Sequence, residues 1–180
     1  MSLTMTKVQS GEVGLGNVDR MMENALEWAA ARIGVEPTIL LTRLSAGDRE
    51  AVERLQYALA KGAAGILAVA VEGAKSVSFF EPDYGVDPDQ GFCGIDAIVA
   101  GVNLILWVAR KTAAISSIAE ALTQRVLDEP VRLGWSEGVV RFCRLNIHVV
   151  DDHEVRGRSG LGAALDSIYV RPLELWRARS

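Results

Sequence analysis

Cysteine is scarce in this chain. Its 180 residues hold only Cys93 and Cys143, with no partner cysteine or histidine at a metal-ligand spacing. Two reduced thiols are expected, and a disulfide framework or zinc finger is excluded. Histidine is equally scarce, with His148 and His153 the whole supply. There is no run of Lys or Arg, and the net charge is −4. A chain without a basic footprint is not expected to bind nucleic acid sequence-specifically or through the phosphate backbone. The apolar stretch Ile98 to Ala109 is about a dozen residues, short of the roughly 18 needed to cross a bilayer, so no membrane contact is expected. Met1-Ser-Leu-Thr-Met5 lacks the charged and apolar regions of a signal peptide, and the expected location is cytoplasmic. The glycines of Gly11-Glu-Val-Gly-Leu-Gly16 lack the dinucleotide-binding spacing and open no βαβ unit.

Hydrophobic residues make up 49% and charged residues 23%, an ordinary balance for a folded domain. Residues 1–17 read as a flexible lead-in, and 18–176 as a single α+β domain. The organising stretch is Ile95 to Arg110, a long strand apolar on both faces that bends at Gly101. Before it, Asn17 caps a helix from Val18 to Ile33 that Gly34 ends. Val35–Arg43 reads as a short strand with Pro37 near its start. Ser45 and Asp48 open a helix from Gly47 to Lys61, with Val52, Leu55 and Leu59 on its buried stripe. Gly62 and Gly65 then turn the chain into a strand, Ile66–Glu72. Phe79–Gly94, with two prolines and several acids, reads as a long loop.

After the central strand, Ser117 and Glu120 suggest a capping box for a helix along Ile115–Val126 that Pro130 shuts off. Val131–Trp135, Gly138–Val150 and Gly162–Leu175 read as strands, and Asp151–Gly160 as a flexible hairpin loop. The expected fold is therefore α+β, a mixed or antiparallel sheet of about five strands with two or three helices packed on it.

No catalytic, cofactor-binding or metal site is expected. Asp151, Asp152 and His153, with His148 nearby, form the one cluster holding both carboxylates and imidazole. No nucleophile, third ligand or phosphate-cradling loop accompanies them. Glu81, Asp83, Asp87 and Asp89 lack calcium-loop spacing and the closing glutamate. Interaction residues are sought instead among the aromatic groups Trp28, Phe79, Phe80, Tyr84 and Phe92, and in Arg156 and Arg158, which suit an acidic partner.

The path from Ile66 to Leu175 resembles the tail terminator and tail-completion proteins of long-tailed phages and prophages, including the Mu-like minor tail proteins. The likeness lies in the strand Ile66–Glu72, the loop to Gly94, the long strand ending Leu106-Trp107, the helix Ile118–Leu127, the passage Asp128-Glu-Pro-Val-Arg-Leu and the closing strand pair. The resemblance implies a structural protein and not an enzyme. Such a protein forms a homo-oligomeric ring on the tail tube and joins it to the head connector, with other tail or connector proteins as partners and the virion as a second location. The alternative expectation is a small-molecule-binding or regulatory α+β domain with residues 79–94 as a lid.

Overall fold

The structure is a computed structural model that describes residues 15, 17–80, 101–166 and 172–179. The helices are α1 (Val18–Ile33), α2 (Pro37–Ser45), α3 (Arg49–Ala70), α4 (Ala113–Arg132), α5 (Glu137–Cys143) and α6 (Asp152–Arg156). The strands are β1 (Ala74–Phe80), β2 (Val102–Val108), β3 (Leu145–Val150) and β4 (Leu173–Arg177), and a 3-10 turn runs over Gly160–Asp166. They make one mixed sheet in the order β3-β2-β1-β4. β1 runs antiparallel to β2 and β4, and β3 joins β2 in parallel. The α+β class and mixed sheet are as expected, with four strands among the described residues rather than about five, and more helices.

β2 is central. Val102, Leu104, Ile105, Leu106 and Val108 are each at most 1% exposed, which makes their gross burial worth on the order of 10 kcal/mol, an upper bound. Val102, Leu104, Leu106 and Val108 join Val77 and Phe79 of β1 in the main core beneath the helices. Ile105 faces the other way, into a small second core with Phe80, Val150 and Ala164. The strand's expected beginning, 95–100, lies outside the described residues. The bend at Gly101 is present, at φ +130°, and a Cβ there would lie 2.3 Å from the Arg144 carbonyl oxygen. That same oxygen accepts from the Val102 N–H at 2.7 Å, so the glycine lets β2 start against β3.

α1 spans the residues its periodicity indicates, burying Val18, Met21, Met22, Ala25, Leu26 and Ala29. Gly34 closes it in the left-handed conformation at φ +82°. Asn17 precedes it without a side-chain cap bond.

Elsewhere the structure corrects the sequence expectations. Val35–Arg43 is no strand: Pro37 starts α2, where its missing N–H goes unused, and Leu40 and Leu44, four apart, are buried. α3 is capped by Asp48, whose carboxylate accepts from the Ala51 N–H, and it runs through Gly62 and Gly65 to Ala70. The strand expected over Ile66–Glu72 is thus mostly helix, and β1 begins only at Ala74. Phe79 and Phe80 belong to β1 and not to a loop. Thr112, not Ser117, caps α4. α4 passes through Pro130 and absorbs the start of the strand expected over Val131–Trp135. The first half of Gly138–Val150 is α5, anchored where the buried Gln56 amide donates to the Phe142 carbonyl at 3.1 Å. The expected hairpin loop at Asp151–Gly160 opens as α6 with a complete capping box between Asp151 and Glu154. Of the strand expected over Gly162–Leu175, only the end lies in β4, and residues 167–171 are outside the described set.

The Gly101 geometry predicts a large stability effect. Gly101→Ala should cost about 2–4 kcal/mol, read as a lower midpoint in urea denaturation, because a left-handed φ and a collision with backbone act together. Gly65→Ala, in a helix interior with nothing within 4 Å of the added methyl, should instead stabilise the fold by about 0.5–1 kcal/mol and so raise the midpoint.

Candidate functional site

Two concave places among the described residues bear on function. The first lies between α1 and α3, which pack along each other. From α1, Met21, Ala25 and Trp28 line it; from α3, Gly62, Ile66 and Val69 do. Its volume is about 820 Å³. Gly62 makes the close approach possible, since a Cβ there would sit 2.4 Å from Met21 Cγ. Trp28 is held half-buried by an inclined stack on Tyr57, with centroids 5.7 Å apart, and by the Arg32 guanidinium 5.0 Å above its ring. At the far end Val69 is 83% exposed, an isopropyl group standing in water on an otherwise amphipathic helix. The charged residues at this groove, Arg20 and Lys61, are both cationic.

The second concavity lies where β2 ends, beside α6, and is lined by Arg110, Asp152, His153 and Arg156 among others. Its geometry follows from a bulge in β1. The register slips between Ala74 and Ser76, so Lys75 has no partner in the ladder. Lys75 Nζ reaches Asp152 at 2.7 and 2.9 Å and lies 5.2 Å from the Trp107 ring centroid. The Trp107 indole N–H donates to the same carboxylate at 2.9 Å. Hydrogen bonding from Lys75 holds the Asp152 carboxyl below the usual carboxylate range, with Trp107 and the Arg156 charge acting in the same direction. Lys111 pairs with Glu154 alongside. Asp152 therefore fastens α6 across the sheet, and its lone pairs are already engaged.

Asp151, Asp152 and His153 all border this concavity, but their side chains are committed differently, and His148 stands apart from them. Asp151 caps α6, Asp152 takes Lys75, His153 is exposed, and His148 lies on β3 beside Asn103 at 3.4 Å. Burial pushes the His148 imidazole down from its ordinary pKa. Among the described residues no three His, Cys, Asp or Glu side chains are grouped to hold a metal ion. Cys143 is buried and free, and burial pushes its thiol up to about 12.

The aromatic residues separate in the same way. Trp28 lines the groove. Phe79 and Phe80 are 2% and 3% exposed and fill the two cores, which leaves neither ring free for a subunit contact. Tyr84 and Phe92 lie outside the described residues. Arg156 is exposed, 3.9 Å from Asp152, and Arg158 is exposed with a left-handed φ of +49°. Sequence reasoning missed the groove because it ended the second helix at Lys61. The available signal was the spacing Ala58, Gly62, Gly65, Ile66 and Val69, which keeps one helical face beyond that point.

Two acid transitions are expected from these groups. His148 has its pKa depressed by burial, so the unfolded chain takes up a proton first, and stability should fall as pH drops below about 6.5. Asp152 has a depressed carboxyl pKa, so its contribution should be intact above the ordinary aspartate value of about 3.8 and fade as pH falls through its folded pKa. Melting temperature followed by circular dichroism should show the first decline flattened in His148→Gln and the second in Asp152→Asn.

No helix among the described residues is long and apolar enough to cross a membrane. Compared with protein-family models, curated proteins and solved structures, the chain matches none.

Proposed function

We propose that this chain is a structural assembly subunit, without catalysis of its own, that forms a ring of the phage-tail kind and joins a tail tube to its connector. The observation that carries the reading is the groove between α1 and α3. It is mostly apolar, with Asn17, Arg20, Asn24 and Lys61 as its polar lining, is open to solvent, and ends on an exposed Val69. A catalytic pocket would need a nucleophile or an acid and base pair, whereas no Asp, Glu, His, Cys or Ser lines this groove. A ring also needs subunits that meet through two different surfaces, and exposed apolar residues occur away from the groove, at Ile39, Leu127 and Val131. The net charge of −4 suits a lumen through which DNA passes without adhering.

A second reading is supported by the size of the same groove. About 820 Å³ falls within the range of small-molecule sites, so the groove suits an elongated apolar ligand with an anionic end near Arg20 or Lys61. Native mass spectrometry of the full chain separates the two. A closed ring of about six subunits is the expected result. A monomer at every concentration up to the millimolar range would overturn the assembly reading, and a monomer carrying a small adduct would establish the second.

A further inference from the structure

We propose that the occupant of the α1–α3 groove is the outer face of α4 from a second copy of this chain. The inference rests on the assembly reading above and names its contact. On α4 the residues Glu120, Gln124, Leu127, Asp128 and Val131 follow helical spacing, and all are exposed. They form a single ridge in which Leu127, 40% exposed, and Val131, 66% exposed, supply the apolar contact. The charges on this ridge, Glu120 and Asp128, are both acidic, and the charges at the groove, Arg20 and Lys61, are both basic. Apolar ridge and apolar groove thus match, and so do their flanking charges.

None of the α4 residues lines the groove, so the two surfaces are distinct and one molecule presents both. Such a contact is heterologous: each copy gives its ridge to one neighbour and its groove to the next, and the chain of contacts closes into a ring or continues as a filament. Gly65 fits this role. It sits in the interior of α3, where glycine weakens a helix, yet a Cβ there would meet nothing within 4 Å in its own chain. The space beside it is left for something else.

The test uses one variant on each surface. Gly65→Leu fills the groove, and Val131→Lys places a positive charge on the ridge, facing Arg20 and Lys61. Each is exposed to solvent or open space, and each should keep the wild-type circular dichroism spectrum and unfold cooperatively. Light scattering on the eluted full chain should show wild type as an oligomer and each variant at the 19.4 kDa monomer mass. Mixed in equal amounts, the two variants should form a dimer and nothing larger, because one intact groove and one intact ridge remain between them. The charge exchange Lys61→Glu with Asp128→Lys should weaken assembly singly and restore it together.

Failure takes distinguishable forms. A monomeric wild type overturns the assembly reading along with this inference. An oligomeric wild type that both variants leave intact overturns this inference alone. Dissociation by Gly65→Leu but not by Val131→Lys, or folded monomeric variants that do not pair on mixing, assigns the groove another occupant and also overturns it.

Discussion

β2 must be covered on both faces. A strand whose Leu104 and Leu106 point one way and Ile105 the other cannot leave either side to water, so the chain has to supply two layers. It supplies them unequally. Over one face lie the long helices α1 and α3 with much of α4, a thick cover held by apolar burial. Over the other, among the described residues, lie α6 and the 3-10 turn, too short to hold by apolar contact alone. Their place is fixed by Asp152 between Lys75 and Trp107, by the pair Lys111 and Glu154, and by the small cluster around Ile105. Because side-chain pairs with solvent access each contribute little, this thin layer depends on several acting together. The bulge in β1 that frees Lys75 is therefore part of how the second face is closed.

The thick layer carries the opposite consequence. α3 is 22 residues long and packs on the sheet through Val52, Leu55, Leu59 and Leu67, so its inner stripe is fully used. α1 covers one flank, with Trp28 against Tyr57 and Met21 against Gly62, and still leaves Ile66 and Val69 at the far end. A helix this long, committed to the core along one side, cannot turn its far apolar residues inward without withdrawing others. The open groove results from that commitment. Gly62 lets Met21 come close and so sets the depth, while Gly65 keeps the space clear. These glycines shape the surface more than they support the fold.

Much of this was legible where periodicity and caps agreed. α1 runs from Val18 to Ile33 with Gly34 after it, as its apolar spacing and terminal glycine indicate. The central strand, with a bend at Gly101 and two apolar faces, was readable from its β-branched content. The errors came at residues with two meanings. Pro37 at the start of an apolar run suits an edge strand or the first turn of a helix, and only the packing of Leu40 and Leu44 selects the second. Gly62 and Gly65 look like a turn unless a neighbouring helix needs the space. Pro130 was read as a stop. Yet α4 continues to Arg132, where the Leu133 N–H still reaches the Glu129 carbonyl at 2.9 Å, and the buried Glu129 carboxylate is met by Arg132 at 3.1 Å and Arg125 at 3.6 Å. Such tertiary contacts carry no local signature.

The candidate surface was less legible than the fold, for a physical reason. Aromatic residues were sought as subunit contacts, but a large apolar ring in a small domain is drawn first to its own core, as Phe79 and Phe80 show. What remains outside is what the core could not take: Val69, Val131 and Leu127, aliphatic residues on helices whose other faces are already engaged. Recognising them requires knowing which face of each helix is occupied, and for α3 that depends on the helix continuing past Lys61. Once it does, Lys61, Gly65 and Val69 share a face on successive turns with Gly62 beside them, and a surface that looks like the end of a helix becomes one wall of a groove.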